Sequence, residues 1–362
     1  MLSIFRNSAL LRFLNDPQIA LAEFSSADWE SLFRTARRAN LLSRVACIVH
    51  KAGCLDRLPL KIQSHLESAL RIAESNQRSV LWEVNQVQKA LSGQRIRLVL
   101  LKGAAYIAGG FSPAPGRLLS DLDIMVQRDR LQAAETALVA HGWMSTKIEA
   151  YDQRYYRQWM HELPPLQHLE RGTSLDVHHT ILPPTALLKP DVNKLWEQIS
   201  PLAQFSGVFV LSPVDMVLHS ATHLFHDGDL DHGLRDLVDI DALLSEFSKT
   251  DDFWERLVSR AIELDLIRPL YYALRYCNKL LNTPIPEKAF RRALRAGAPQ
   301  TLLLQVMDVF ILLSIGAVLE NKARMLTGIA KYAMYIRSHC LRMPLRLLVP
   351  HLLRKQFVSE NQ

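Results

Sequence analysis

Hydrophobic and polar positions follow three different rhythms along this chain. Over residues 27–91 apolar side chains recur every three or four positions, as in Trp29, Leu32, Phe33 and Ala36, and glycine is nearly absent. That spacing puts the apolar residues on one face of a helix. Ser26, just ahead of Asp28 and Trp29, is the expected N-cap. Gly53 and the Leu58-Pro59 pair divide the region into at least two helices, the second running over residues 59–91.

The rhythm changes at Ser92-Gly93. Residues 95–101 (RIRLVLL) are a short run of branched apolar residues, the pattern of a buried strand. Lys102-Gly103 follows, a helix begins over residues 104–108, and Gly109, Gly110, Pro113, Pro115 and Gly116 mark an irregular loop. Further strands are expected at 122–127, 143–148, 165–170 and 174–179, the last two joined by an Arg171-Gly172 turn, with an amphipathic helix at 129–141 closed by Gly142. Such alternation predicts a compact α/β unit. Helical periodicity then returns, with one short strand at 208–211 and Ser212-Pro213 opening a helix. Helical segments are expected at 214–225, 233–247, 252–264, 269–281 and 287–295, with two or three more to the end. The predicted architecture is an α/β core (93–189) set between a helical region (1–92) and a helical domain (190–298), followed by a basic helical tail (299–362).

Composition narrows the class. With 362 residues, 49% hydrophobic and 22% charged, the chain can bury one large core or two moderate ones, and it carries no low-complexity tract or repeat. Its 43 basic against 36 acidic residues give a net charge of +7, which favours anionic partners such as nucleotides, nucleic acid or acidic lipid headgroups. Cys47, Cys54, Cys277 and Cys340 are scattered with no CxxC pair, so neither a zinc ribbon nor a disulfide framework is expected. Arg6, Arg12 and Asp16 interrupt the apolar stretches near the start, so no signal-peptide core is expected there. Residues 302–318 carry Gln305 and Asp308 and are short for a bilayer span, so a buried helix is expected, and with it a cytoplasmic protein.

The sharpest chemical feature is Ser120-Asp121-Leu122-Asp123-Ile124-Met125-Val126. Residues two apart on a strand share a face, so Asp121 and Asp123 project together while Leu122, Ile124 and Val126 enter the core. Two carboxylates this close repel unless a cation lies between them, and magnesium prefers such oxygen ligands. A bare DxD is also common on exposed strand ends. Asp176, flanked by Leu175 and Val177, is a third carboxylate that is costly to bury alone. A strand carrying it beside the Leu122 strand would bring it to the same cation. His178 shares its face and is a candidate phosphate or aspartate contact; His179 points the other way and is read as structural.

The ordered segments Leu100-Leu101-Lys102-Gly103-Ala104-Ala105, Pro115-Gly116-Arg117, Ser120-Asp121-Leu122-Asp123 and Leu175-Asp176-Val177-His178 resemble a bacterial nucleotidyltransferase family. It is a largely uncharacterised branch of the DNA polymerase β-like superfamily, often associated with exopolysaccharide gene clusters. Leu211-Ser212-Pro213-Val214-Asp215, His219, His223, Leu234-Arg235-Asp236-Leu237 and Asp239 resemble that family's helical segment, so the likeness covers residues 96–286. It implies a polymerase β-like mixed sheet with flanking helices. The implied activity is transfer of a nucleoside monophosphate from a nucleoside triphosphate to an acceptor hydroxyl or phosphate, an exopolysaccharide sugar among them. The implied cofactor is Mg2+, one or two ions, with Mn2+ as a substitute. Asp121, Asp123 and Asp176 match the catalytic metal ligands; Gly103 matches the glycine opening the triphosphate helix, and Lys102 and Arg117 match basic phosphate contacts. The resemblance also sets His223, Arg235 and Asp239 in the cleft. Gly103-Ala104 departs from the Gly-Ser or Gly-Gly usual at the phosphate helix, so no serine hydroxyl is offered there.

Two further features were weighed. His219, His223, His226, Asp227, Asp229, Asp231 and His232 invite a zinc reading, but Ser220 stands where a metalloprotease has glutamate, so helix packing or cleft contacts are expected instead. Arg235 and Asp239, four apart, are expected to form an ion pair. The tail places Lys322, Arg324, Lys331, Arg337, Arg342, Arg346, Arg354 and Lys355 among apolar residues. It reads as a helical cap with a solvated basic face, with an anionic membrane or RNA as alternative partners. Two other functions stay open: modification of a tRNA or a protein, and a catalytically silent nucleotide-binding scaffold.

Overall fold

Residues 98–100 of the branched run form an inner strand of a seven-stranded mixed sheet, next to its central strand. The computed structural model describes residues 5, 7–227, 230–319 and 325–359; Arg6, Asp229, Lys322 and Arg324 lie outside the described residues, as does the side chain of Lys355. The strands are β1 (Leu98–Leu100), β2 (Asp121–Met125), β3 (Trp143–Ser145), β4 (Leu166–His168), β5 (Ser174–His178), β6 (Ser200–Pro201) and β7 (Val208–Val210). Their order across the sheet is β3-β4-β5-β2-β1-β7-β6. β1 runs antiparallel to β2 and parallel to β7, and β2 runs parallel to β5. Leu98, Val99, Leu100, Leu122, Ile124, Leu175 and Val177 are all buried, as a strand covered on both faces requires.

The helices before the sheet are α1 (Ala9–Asn15), α2 (Pro17–Glu23), α3 (Ser26–Arg38), α4 (Leu42–Lys51) and α5 (Leu60–Ser92). The breaks expected at Gly53 and at Leu58-Pro59 separate α4 from α5. The cap of α3 is Ser25, one residue before the expected Ser26: Ser25 Oγ accepts from the Asp28 N–H, and the Asp28 carboxylate accepts from the Ser25 N–H in return. Asp28 decides this register, because the reciprocal pair needs residues three apart.

Between the strands lie α6 (Lys102–Gly109), α7 (Leu131–Ala140), α8 (Ala150–Trp159) and α9 (Val192–Glu197). α8 was not foreseen; it buries no residue, so its sequence has no apolar stripe to betray it. It cuts short the strand expected at 143–148. After β7 come α10 (Pro213–Thr222), α11 (Gly233–Phe247), α12 (Phe253–Glu263), α13 (Ile267–Leu281), α14 (Glu287–Gly297), α15 (Thr301–Gly316), α16 (Met325–Arg342) and α17 (Leu345–Ser359). Ser212 caps α10, and its neighbour Asp215 is buried against Arg260 of α12 at 2.8 Å, so the Ser212–Asp215 segment serves the scaffold.

Two corrections concern the apolar and basic end of the chain. α15 was expected to be buried, but only 33% of the window Thr301–Leu319 is enclosed, and Leu302 is 75% exposed. By length and composition this one helix among the described residues could cross a membrane. The basic residues that follow do not form a purely solvated face. Arg337 donates to the Phe225 carbonyl at 2.8 Å, Lys331 pairs with Asp231 at 2.6 Å, and Arg354 lies over the Tyr151 ring.

The long helix α5 holds the loop that leads to β2. Asn76 Oδ1 accepts from the Leu119 N–H and Asn76 Nδ2 donates to the Leu119 carbonyl, both at 3.0 Å, while Gln77 donates to the Ala114 carbonyl. About two turns further on, the buried Glu83 binds Arg171 at 2.8 Å and Thr173 at 2.9 Å, fastening the β4–β5 hairpin. Gly116 is obligatory in this loop: its φ is +74°, and an added Cβ would lie 2.4 Å from the Arg44 backbone nitrogen.

Arg44 of α4 reaches over the same loop to bind the Ser112 and Pro113 carbonyls and Asp239 of α11, the last at 3.0 Å. Arg117, from the loop itself, binds the other Asp239 oxygen at 2.7 Å. Removing one member of a buried ion pair typically costs about 3–5 kcal/mol, because its partners stay desolvated. Asp239→Ala is therefore expected to lower unfolding free energy by that order in urea titration. A loss below about 1 kcal/mol would show that the pair does not hold the loop.

Candidate active site

β2 and β5 lie side by side in parallel, with Asp123 directly opposite Asp176. Because side chains alternate, Asp121 joins them on the same face, and one carboxylate oxygen from each of the three lies within 4.8 Å of the others. Asp121 is exposed, Asp176 partly covered and Asp123 buried. Asp123 Oδ1 meets the Lys102 ammonium at 3.3 Å and His178 Nε2 at 3.1 Å. Burial works to raise the Asp123 pKa, but Lys102 and His178 outweigh it and hold the group well below the ordinary carboxylate range. Among the described residues Asp176 pairs with no Lys or Arg, and His178 lowers its pKa only in part. Burial, with Glu162 and Asp123 close by, pushes its pKa up to about 7.

The neighbourhood of His178 contains two residues that sequence reasoning missed. His161 and Glu162 follow α8 in an irregular segment, and Glu162 bridges to His178 through the backbone. Glu162 Oε2 lies 3.6 Å from His178 Nδ1, and the His161 and His178 rings are 5.1 Å apart. Ligand atoms of His161, Glu162 and His178 also lie within 4.8 Å of one another, a second group able to hold a metal ion. No motif spacing connects residues 161–162 with 178; the segment's return alongside β5 does. Burial opposes charging His178, yet Asp123 and Glu162 prevail and its pKa is raised. His179 turns away, and burial pulls its pKa down to about 4.

At the other side of the aspartates α6 begins. Lys102 takes a left-handed backbone conformation, φ +44°, uncommon for a residue with a side chain. No side chain caps the α6 N-terminus, so its first N–H groups are open to an anion. A Cβ on Gly103 would meet Leu119 at 2.9 Å, so this glycine is also needed for the close passage of the loop before β2.

Two cavities meet at Lys102, Asp121, Asp123 and His223. The first, about 370 Å³, lies against Gly103 and is lined also by Arg117, Ser120, Arg235, Asp236 and Asp239. The second, about 710 Å³, contains Asp176, His178, His161 and Glu162, and its far wall is α16. Arg117 was expected to contact phosphate, but its guanidinium is taken up by Asp239 at 2.7 Å, Asp236 at 3.6 Å and the Leu118 carbonyl at 2.8 Å. The expected Arg235–Asp239 pair is replaced: Arg235 binds Asp236 at 2.8 Å, because Arg44 and Arg117 already enclose Asp239. His223, Arg235 and Asp239 all line the first cavity. Among the described residues, no metal-holding group forms around His219–His232. His219 is buried, and burial together with Lys102 keeps its pKa well below the usual value.

Two acidic residues on one strand, a third on its parallel neighbour and a helix start beside them are the arrangement that the resemblance to nucleotidyltransferases implies. Residues 25–282 match the model of a family described as uncharacterised nucleotidyltransferases, and the chain belongs to that family. No curated protein and no solved structure matches it.

The raised Asp176 pKa has a defined consequence in metal-free protein. The folded state keeps a proton that the unfolded chain releases above pH 3.8, so stability falls as pH climbs from there to about 7 and then levels off. The loss attributable to this group reaches up to about 4 kcal/mol. Asp176→Asn is expected to remove most of that slope in urea titrations run in chelator. An unchanged slope would place the titration elsewhere.

Proposed function

We propose that this protein is a magnesium-dependent nucleotidyltransferase, moving a nucleoside monophosphate from a nucleoside triphosphate to an acceptor hydroxyl or phosphate and releasing pyrophosphate. The observation carrying this reading is the convergence of Asp121, Asp123 and Asp176 at the junction of two cavities. The three carboxylates suit a hard divalent ion: they offer only oxygen, and the negative charge of Glu162 and Asp123 around Asp176 outweighs the opposing effect of His178. Asp121, Asp123 and Asp176 would hold magnesium, with manganese as a substitute. When bound, the metal supplies charge neutralisation at the phosphates and at the attacking oxygen.

The remaining roles fall to the chain's own groups. The open α6 N-terminus at Gly103, the Lys102 ammonium and Arg235 favour the triphosphate in the first cavity. Backbone N–H groups serve there in place of the serine hydroxyl that Gly103-Ala104 lacks. Lys102 and His178 fix Asp123 in its ionised form. Asp176 lines the second cavity and, through a carboxylate oxygen not given to the metal, would face the hydroxyl of an incoming acceptor. A sugar of exopolysaccharide synthesis, as the resemblance implies, is compatible with this chemistry.

The test uses each α-labelled nucleoside triphosphate with magnesium and a cell extract, reading label transfer and pyrophosphate. Asp121→Asn alters an exposed residue whose side chain meets only the adjacent Ser120, at 3.0 Å among the described contacts, so its fold should survive. Transfer is expected to fall at least about 100-fold in that variant and in Asp123→Ala. Full transfer by a folded Asp121→Asn protein would remove the proposed site.

A further inference from the structure

We infer that the larger cavity is the acceptor chamber and that it takes a small alcohol carrying a phosphate group, such as a phosphorylated sugar or polyol. This rests on the nucleotidyltransfer reading above and adds the class of the second substrate. The division of labour between the cavities is the starting point. Gly103 lines only the smaller cavity and Asp176 only the larger one, while Lys102 at the start of α6 borders both. Asp121 and Asp123 border both, as the ligands between donor and acceptor must.

The wall opposite Asp176 has its own chemistry. α16 contributes Lys331, Tyr332, Tyr335, Ser338 and Arg342, all beyond the residues 25–282 that define the family. The donor side is thus built from residues within the family match, and the acceptor side is completed by a segment outside it. The wall is anchored: Thr185 donates to the Arg342 carbonyl at 2.7 Å, the Leu187 N–H to the Leu341 carbonyl at 2.9 Å, and Arg337 to the Phe225 carbonyl at 2.8 Å. Tyr332 and Tyr335 present nearly parallel rings, 16° apart, which suit the C–H faces of a ring or carbon chain.

Charge orients the occupant. Asp121, Asp123, Asp176 and Glu162 make the inner wall acidic, so a phosphate is repelled there and a hydroxyl is admitted. The outer wall is basic. Lys331 is already paired with Asp231 at 2.6 Å, which leaves Arg342, 3.5 Å from Ser338 Oγ, as the principal phosphate fork. RNA fits poorly, because its backbone needs a track of cations and four carboxylates line the opposite side. In the reaction the acceptor oxygen forms a bond to the α-phosphorus, the α–β bridging P–O bond breaks, pyrophosphate leaves through the first cavity, and the hydroxyl proton passes to water.

The experiment uses the full chain with nucleoside triphosphate and magnesium. Pyrophosphate release is measured with glycerol 3-phosphate and glucose 6-phosphate against their neutral parents, glycerol and glucose. The phosphorylated compounds are expected to stimulate release at least ~10-fold more than the parents, since a charge-assisted fork is lost with the phosphate. Arg342→Ala and Tyr335→Ala should each raise the acceptor KM by about tenfold, with the nucleotide KM within about twofold and partial recovery in Arg342→Lys. Equal stimulation by the neutral parents, an unmoved acceptor KM, or label found on RNA or protein instead would overturn the inference. Equilibrium dialysis separates the two levels. Absence of magnesium-dependent nucleotide binding would sink the nucleotidyltransfer reading itself. Nucleotide binding without any response to phosphorylated alcohols would sink only the acceptor assignment.

Discussion

One carboxylate, Asp239, carries much of the architecture around the site. Its two oxygens are divided between Arg44 from the helices before the sheet and Arg117 from the loop before β2, and all three side chains are buried. None of these charges can return to water without moving a whole segment, so the three stretches of chain are held in one arrangement. The loop's backbone is then closed against Arg44 at Gly116 and gripped by Asn76 at Leu119. Two residues after Leu119 the first candidate metal ligand emerges. The position of Asp121 thus depends on contacts made far from it in sequence.

The same logic governs the electrostatics of the aspartates. Three carboxylates converge, and among the described residues Asp123 is the one that forms ion pairs, with Lys102 and His178. Asp176 is left with Glu162 and Asp123 as neighbours and holds its proton more tightly than an ordinary carboxylate. In the metal-free protein this asymmetry leaves Asp123 ionised while Asp176 keeps its proton up to about neutrality. The basic residues expected to meet phosphate split into two sets. Arg117 serves the buried network, whereas Lys102 stays at the junction of the cavities.

The C-terminal helices look, by composition, like a solvated basic cap. In the fold they close the second cavity, and the apolar helix α15 keeps much of its surface outside the core. Amphipathic patterning says which face of a helix is apolar, but it does not say what that face meets.

What the chain determined by itself was local. Branched apolar runs specified β1, β2 and β5, three- and four-residue spacing specified α5 and α11, and alternation put Asp121 with Asp123 and Asp176 with His178 on shared faces. The short order of motifs pointed to the nucleotidyltransferase family, which the match over residues 25–282 bears out. Only the tertiary structure decided which strands are neighbours, and therefore that Asp123 stands opposite Asp176. It also decided that His161 and Glu162 join His178, that Arg235 turns to Asp236, and that Arg44 and Arg117 share Asp239. The reason is physical: periodicity encodes the direction of a side chain relative to its own backbone. The partner of a buried charge is chosen by desolvation across the whole fold, where residues distant in sequence compete for the same few polar groups.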